Sequence, residues 1–154
     1  MKSALSIRRA VGSALVFALV ALAGSALAAT PDQAPAVPTG QARVWFLRQL
    51  LPGTIMTPPM VYVNGAPIAR SAEGTAFYRD FAPGRYAFEV ENCTPQPNTG
   101  QTMTLQPNTQ YAILVQQEDN PAWDCSPAQI SFLQQVEPRQ VPYYFAPLTF
   151  LGAL

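Results

Sequence analysis

The chain has 154 residues, with nine basic and nine acidic side chains and no histidine. Without histidine, Ser-His-Asp and Cys-His catalysis are excluded and the commonest zinc ligand is missing. The balanced and sparse charges also provide no basic patch of the kind that binds nucleic acid.

The first 28 residues have the pattern of a secretory signal peptide. Three basic side chains precede an apolar run from Val11 to Leu22, and Ala26-Leu27-Ala28 fits the small-x-small rule for cleavage. The run is shorter than the roughly 20 residues of a spanning helix, which disfavours an uncleaved anchor. We predict cleavage near Ala28/Ala29, a periplasmic or possibly extracellular protein, and no membrane span after cleavage.

The mature chain is expected to begin with a tether and continue as one domain. Removing residues 1–28 leaves six arginines, no lysine and nine acidic residues, so the mature chain is negative. Residues 29–41 contain three prolines among small and polar residues, which predicts a Pro-rich disordered tether. Residues 42–154 are predicted to form a single β-sandwich domain.

The apolar pattern from residue 42 onward has a period of two, and proline or glycine interrupts it roughly every 8 to 12 residues. This pattern is typical of an all-β fold, and we predict an antiparallel β-sandwich of about seven to eight strands. Asn64-Gly65 predicts a type I′ hairpin turn, and Pro83-Gly84 a type II turn. Strands are expected in ARVWFLRQL, MVYV, APIA, EGTAFYRDF, RYAFEV, QTMTLQ, TQYAILVQQ and AQISFLQQV, followed by a final extended segment, QVPYYFAPLTFLGAL.

Alternation also predicts which side chains face the core. The first strand has apolar residues on both faces, so both faces are expected to be covered. In the later strands one face is apolar and the other polar, with Glu89 and Glu91 on the solvent side. The side chains predicted to point inward from these strands are Tyr86, Phe88, Val90, Tyr111, Ile113 and Val115.

The two cysteines, Cys93 and Cys125, are predicted to form one structural disulfide, because an exported protein folds in an oxidising compartment. A bridge closing this loop would stabilise the fold by about 3 to 4 kcal/mol in the chain-entropy model. A redox role would require a Cys-x-x-Cys pair, and this spacing is different.

The sequence contains only weak signals for a catalytic or metal-binding site. Glu118, Asp119 and Asp124 are expected in one loop and could bind calcium, but the glycine and the regular alternation of a calcium loop are missing. We therefore predict no catalytic residue, no cofactor and no metal site, and a protein that is not an enzyme. An enzyme built on carboxylates is the least favoured alternative.

Aromatic residues outside the regular strands give a possible partner surface, formed by Trp123, Tyr143, Tyr144 and Phe150. Core filling is the competing interpretation of the same side chains. The apolar C-terminus carries Pro142 and Pro147, which predicts an edge strand. Its last residues, 148–154, either pack on the core as that strand or form an exposed docking tail.

The stretch VYVNGAPIARSAEGTAFYRDFAPGRYAFEVE resembles small bacterial β-sandwich domains of the PEGA-like kind, and more closely the exported proteins of the domain of unknown function 2846 family. The resemblance covers roughly residues 42–117. It implies a non-catalytic module of the cell envelope with no defined ligand. Many members are lipoproteins, and the missing lipobox cysteine here points to a soluble periplasmic form. The matching residues are Asn64, Gly65, Pro83, Gly84, Arg85 and Tyr86.

These observations predict a non-catalytic, exported β-sandwich of the bacterial cell envelope that acts as a protein-binding or accessory module. The alternative is a carbohydrate-binding module that uses Trp123 and Tyr144 as stacking residues. The expected partner is an envelope protein or a glycan, and no nucleic acid is expected.

Overall fold

The computed structural model describes residues 34–50, 57–119 and 129–154. The described part contains nine strands and one short helix, so the prediction of an all-β fold is confirmed, with one or two more strands than expected. The strands are β1 (Ala42–Arg48), β2 (Met60–Val63), β3 (Ala66–Arg70), β4 (Thr75–Phe81), β5 (Gly84–Val90), β6 (Gln101–Leu105), β7 (Gln110–Asp119), β8 (Gln129–Val136) and β9 (Thr149–Ala153). The helix α1 (Val141–Phe145) follows a 3-10 turn at Pro138–Gln140.

The strands form two sheets that pack as a sandwich. The five-stranded sheet has the order β8-β7-β1-β4-β9, and the four-stranded sheet has the order β3-β2-β5-β6. Most neighbouring strands are antiparallel, but β1 with β7 and β4 with β9 are parallel pairs. Strand β1 therefore lies at the centre of the larger sheet and β9 at one of its edges.

The two predicted turns have different outcomes. Asn64 and Gly65 have φ values of 50° and 77° and join the paired strands β2 and β3, which confirms the type I′ turn. The type II prediction is wrong, because Gly84 has a φ of 155° instead of about +80°. Gly84 is already the first residue of β5 and pairs with Leu105 of β6, so the chain passes there from one sheet to the other.

The main core lies between the sheets. Phe88, Val90, Ile113 and Val115 are buried there as predicted, whereas Tyr86 and Tyr111 are half-buried at its margin. Three phenylalanines form its centre, and the rings of Phe46 and Phe77 are stacked 4.9 Å apart. The buried members of this core are Ala42, Val44, Phe46, Val61, Val63, Phe77, Phe88, Val90, Met103, Leu105, Ile113, Val115 and Leu133.

A second apolar cluster, called here the outer cluster, covers the other face of the five-stranded sheet. It begins on β1, whose seven residues are all buried, so the prediction that both faces of this strand are covered is confirmed. Phe145 of α1 and Leu148 close the cluster from outside. Its buried members are Trp45, Leu47, Ala76, Tyr78, Ala112, Leu114, Val136, Phe145 and Leu148.

The chain after β8 is not the extended segment that was predicted. It forms the 3-10 turn and α1, each with a proline at one of its first two positions, where the missing N–H removes no internal hydrogen bond. This conformation places Phe145 over Trp45, with the ring centroids 5.1 Å apart and nearly perpendicular. The segment thus crosses the outside of the sheet between β8 and β9.

The predicted disordered tether also differs from the structure where residues 34–41 are described. Ala34 packs against the outer cluster, and the carbonyl oxygen of Pro35 accepts a hydrogen bond from Arg43 Nη1. Gly40 N donates to Asn108 Oδ1 at 2.8 Å. Contact with the sandwich therefore begins before residue 42, because Arg43 provides a fixed donor for this segment.

No helix of the described residues is long and apolar enough to span a membrane.

Candidate partner-binding site

The edge formed by β8 is covered by polar groups from across the sandwich. Ser131 N donates to Asn92 Oδ1 at 2.7 Å, and Asn92 Nδ2 donates to Ser131 O at 2.9 Å. Leu133 N donates to Thr99 O at 2.8 Å, and Gln101 Nε2 donates to Leu133 O at 2.8 Å. The outward backbone groups of Ser131 and Leu133, in the middle of β8, are thus already paired and are not open to another strand.

The two edges of the four-stranded sheet also have features that hinder the addition of another strand. Strand β3 contains Pro67, which has no N–H, and its pairing with β2 is irregular at this position. Both features are devices that prevent pairing at sheet edges. On β6, Thr104 O accepts a hydrogen bond from the hydroxyl of Tyr111 at 3.3 Å, and the same hydroxyl accepts one from Gln106 N.

Strand β9 is the exception among these four edges. Thr149 N donates to Gly74 O at 2.7 Å, so the backbone of Thr149 faces β4. Because backbone groups alternate along a strand, the N–H and C=O of Phe150 point to the opposite, open side. The strand has the sequence TFLGA, without charge or proline. Within the described residues no group hydrogen-bonds to β9 from this side.

Exposed apolar side chains lie on the same C-terminal part of the chain. Tyr143 is 74% exposed, Leu151 49% and Leu154 52%. The fourth large exposed apolar side chain of the described residues, Leu50, is elsewhere in the sequence and is 64% exposed. We define the candidate site as the open side of β9 together with Leu151 and Leu154.

The residues that the sequence suggested for a partner surface occupy different environments. Tyr143 is exposed, and its ring contacts that of Tyr144 edge-on at 5.3 Å, while Tyr144 itself is partly buried against the outer cluster. Phe150 is partly buried, because its ring packs on Tyr78 and Trp45 in the outer cluster. Trp123 lies outside the described residues.

The sequence left two alternatives open for the C-terminal segment, a packed edge strand and an exposed docking tail. Leu148 is buried and β9 is paired with β4, so residues 148–154 are an edge strand rather than a free tail. Leu151 was not identified as exposed from the sequence. Successive side chains of a strand point to opposite faces, so a Phe150 that faces the protein implies a Leu151 that faces solvent. Only the pairing with β4 decides which face of β9 is buried.

Two buried arginines hold the five-stranded sheet in place beside this site. Arg43 is 2% exposed and makes two hydrogen bonds to Asp80, at 2.7 and 2.9 Å. Its guanidinium also lies 3.7 Å from the ring centroid of Tyr78. The hydrogen bond with Asp80 raises the pKa of Arg43 above its ordinary value, while burial opposes this effect.

Arg48 occupies the opposite end of β1 and is 3% exposed. It donates to Ser71 O at 2.7 Å, to Glu73 Oε1 at 3.2 Å and to Gln117 Oε1. Gln117 Nε2 in turn donates to Ser131 Oγ, which continues the network to β8. Burial lowers the pKa of Arg48 below its ordinary value, and the hydrogen bond with Glu73 opposes this. These contacts are structural, since every donor named is used within the fold.

The acidic residues considered in the sequence analysis do not form a cluster where the structure describes them. Glu89 is exposed, and Glu91 binds Arg70 at 3.0 Å. The prediction that Glu118 and Asp119 lie in a loop is wrong, because β7 extends through both and pairs them with Ile130 and Gln129. The remaining candidate, Asp124, lies outside the described residues. The described residues contain no group of three or more His, Cys, Asp or Glu side chains that could hold a metal ion.

The predicted disulfide is tested only at one end. Cys93 lies shortly after β5, and the described residues contain no free cysteine. Cys125 lies outside the described residues, so its pairing with Cys93 stays a prediction. The neighbouring Asn92 holds β8, which places Cys93 at the covered edge of the sandwich and away from β9.

A polar pocket of about 640 Å³ lies on the four-stranded sheet. Tyr62 and Glu89 are direct neighbours across β2 and β5, and both line it. Thr102 and Gln96 add further polar groups. This combination of one aromatic ring with hydroxyl, amide and carboxylate groups is the feature that fits the glycan alternative best.

Comparisons with known proteins find no family model that matches the chain and no match among curated proteins. The resemblance over residues 42–117 therefore stays a prediction that rests on the turn residues. The surface features of the chain itself are therefore the basis for its proposed function.

Proposed function

We propose that this protein is a non-catalytic, exported β-sandwich module of the bacterial cell envelope that binds an extended segment of a partner protein along β9. The open side of β9 carries the proposal, because in the described part of the chain polar groups or a proline lie at the other three sheet edges, whereas β9 has neither on its open side, although its pairing with β4 is irregular after Phe150. An uncovered edge with unpaired N–H and C=O groups is a template for one more strand.

The composition of β9 indicates the chemistry of the partner segment. Natural proteins protect open edges with lysine, proline or a bulge, and TFLGA has neither lysine nor proline; its one irregularity is the register shift against β4 between Phe150 and Ala153. Leu151 and Leu154 place apolar side chains at solvent beside this edge. The segment that fits is an extended stretch of another envelope protein with apolar side chains at alternate positions.

We predict that Leu151→Lys lowers the affinity for the partner at least tenfold and leaves the fold intact. The leucine is half exposed, so its replacement removes little packing. A lysine at the edge adds a charge that an incoming apolar strand would have to desolvate. The measurement is capture of partners by the mature protein from envelope extracts, followed by titration with the identified partner segment. Hydrogen exchange of the Phe150 amide should slow on binding.

The control is Thr104→Lys, which adds the same charge at an exposed position of the edge strand β6 in the other sheet and should leave binding unchanged. Deleting residues 148–154 is a poor test, because it also removes the buried Leu148 and the partly buried Phe150. If both lysine variants bind the partner as the unchanged protein does, the β9 proposal is wrong. Loss of binding in Tyr62→Ala instead would favour a glycan in the polar pocket.

Export and the disulfide are proposed together and have one common test. The intact mass of protein recovered from the periplasm should correspond to a chain without residues 1–28 and be lower by two hydrogens. A Cys93→Ser, Cys125→Ser double variant should lose about 3 to 4 kcal/mol of unfolding free energy, measured by denaturant titration. Recovery of the full-length chain, or of one with two alkylatable thiols, would contradict this part of the proposal.

A further inference from the structure

An apolar pocket of about 610 Å³ lies on the outer face of the five-stranded sheet, at the end opposite to β9. Its floor is formed by β1, β7 and β8, and α1 closes it from outside. The volume is within the range of roughly 300 to 1,000 Å³ that small-molecule sites occupy. The apolar side chains that line it include Trp45, Ala112, Val136, Val141 and Phe145.

Among the residues that the structure describes, no charged side chain lines this pocket, and its polar members are Thr109, Gln110 and Gln135. A charged ligand group placed inside would lose its hydration without gaining a counter-ion, which is strongly unfavourable. The pocket also lies on a sheet face and not at an edge, so it offers no row of backbone partners to a peptide strand. Both facts favour an uncharged molecule that is mainly hydrocarbon.

One wall of the pocket supplies an oriented polar group. The indole N–H of Trp45 donates to Gln110 Oε1 at 2.8 Å. Because an indole nitrogen can only donate, this contact determines the orientation of the Gln110 amide. The Nε2 group of the same amide is then the donor that remains for a ligand, and its natural partner is an acceptor oxygen.

We propose that this pocket binds an uncharged, largely hydrocarbon molecule that carries an acceptor oxygen, such as a fatty ester. The hydrocarbon part lies against the accessible apolar lining at Pro138, Val141 and Ala146, and the oxygen accepts from Gln110 Nε2. The β9 edge is a different part of the sheet, separated from the pocket floor by β4, although Trp45 and Phe145, which line the pocket, also contact Phe150 of β9.

The test uses the mature protein with Trp123→Phe, which leaves Trp45 as the single tryptophan. N-phenyl-1-naphthylamine, an uncharged dye that emits in apolar surroundings, should bind at one site and receive excitation energy from Trp45. Methyl decanoate should displace it. Gln110→Glu keeps an acceptor for the Trp45 N–H but removes the amide donor, and it should weaken methyl decanoate at least fivefold.

A matched pair of substitutions on α1 locates the site. Val141 lines the pocket and Tyr143 is exposed on the same helix. Val141→Asp should weaken dye binding at least tenfold and Tyr143→Asp should not change it, with circular dichroism checking that both variants fold. The absence of saturable dye binding, or equal losses in the two variants, would overturn the proposal. If dye binding disappears as the protein concentration rises, a second copy of the chain covers the pocket. This result would also overturn the proposal.

Discussion

Asp80→Ala is expected to lower the free energy of unfolding by about 3 to 4 kcal/mol, in the lower part of the range for breaking a buried ion pair. The substitution leaves the guanidinium of Arg43 without its carboxylate, and Arg43 is almost fully buried. The contacts of Arg43 with the ring of Tyr78 and with the carbonyl of Pro35 remain, which is why we expect the lower part of that range. Denaturant titration measures the effect as a lower midpoint with an unchanged slope.

A double-mutant cycle separates the ion pair from simple loss of volume. In a chain with Arg43→Met, the same Asp80→Ala substitution should cost less than half as much, because no buried charge is left unpaired. Arg79→Ala, an exposed neighbour on β4, should change stability by less than about 0.5 kcal/mol. Equal costs of Asp80→Ala in the two backgrounds would show that the pair is not coupled.

Trp45→Ala is expected to cost about 3 to 5 kcal/mol, as large-to-small substitutions of buried aromatic residues do. The Trp45 ring contacts those of Tyr78, Phe145 and Phe150, with centroids 5.0, 5.1 and 5.6 Å away. Removing the indole ring leaves a cavity. Neither α1 nor β9 can fill this cavity without moving away from the strands on which it packs. Because Phe150 belongs to β9, the substitution should also weaken the partner-binding edge.

Trp45→Phe is the matched control, since it keeps most of the apolar volume and loses the hydrogen bond to Gln110. We expect it to cost roughly 1 to 2 kcal/mol. Denaturant titration gives both values, and limited proteolysis between residues 137 and 149 reports on release of α1. A loss below about 1 kcal/mol for Trp45→Ala would mean that the outer cluster contributes little to stability.

Local patterns were sufficient to predict several parts of the fold. The alternation from Tyr86 to Val90 identified β5 and its buried side, because successive side chains of any strand point to opposite faces. Asn64-Gly65 identified a hairpin, because both residues tolerate the positive φ that the turn requires. The prediction failed at Gly84, where pairing with Leu105 overrides the turn preference of Pro-Gly.

The candidate site could be predicted only in part. The sequence indicated an apolar C-terminal segment, but it selected Phe150, which is partly buried against the outer cluster, and not Leu151, which is more exposed. The helix α1 was missed because a stretch with two prolines and aromatic residues has no helical stripe of its own. Its position is determined by the packing of Phe145 on Trp45, which lies 100 residues earlier in the chain.

By itself the sequence determined the all-β class, the alternation of each strand and the hairpin at Asn64-Gly65, because these depend on neighbouring residues and backbone preferences. Only the tertiary structure decided that β1 is central, that Arg43 meets Asp80 and that β9 is the edge left open. Each of these depends on which distant strands pair, and strand pairing is determined by long-range packing that no local pattern records.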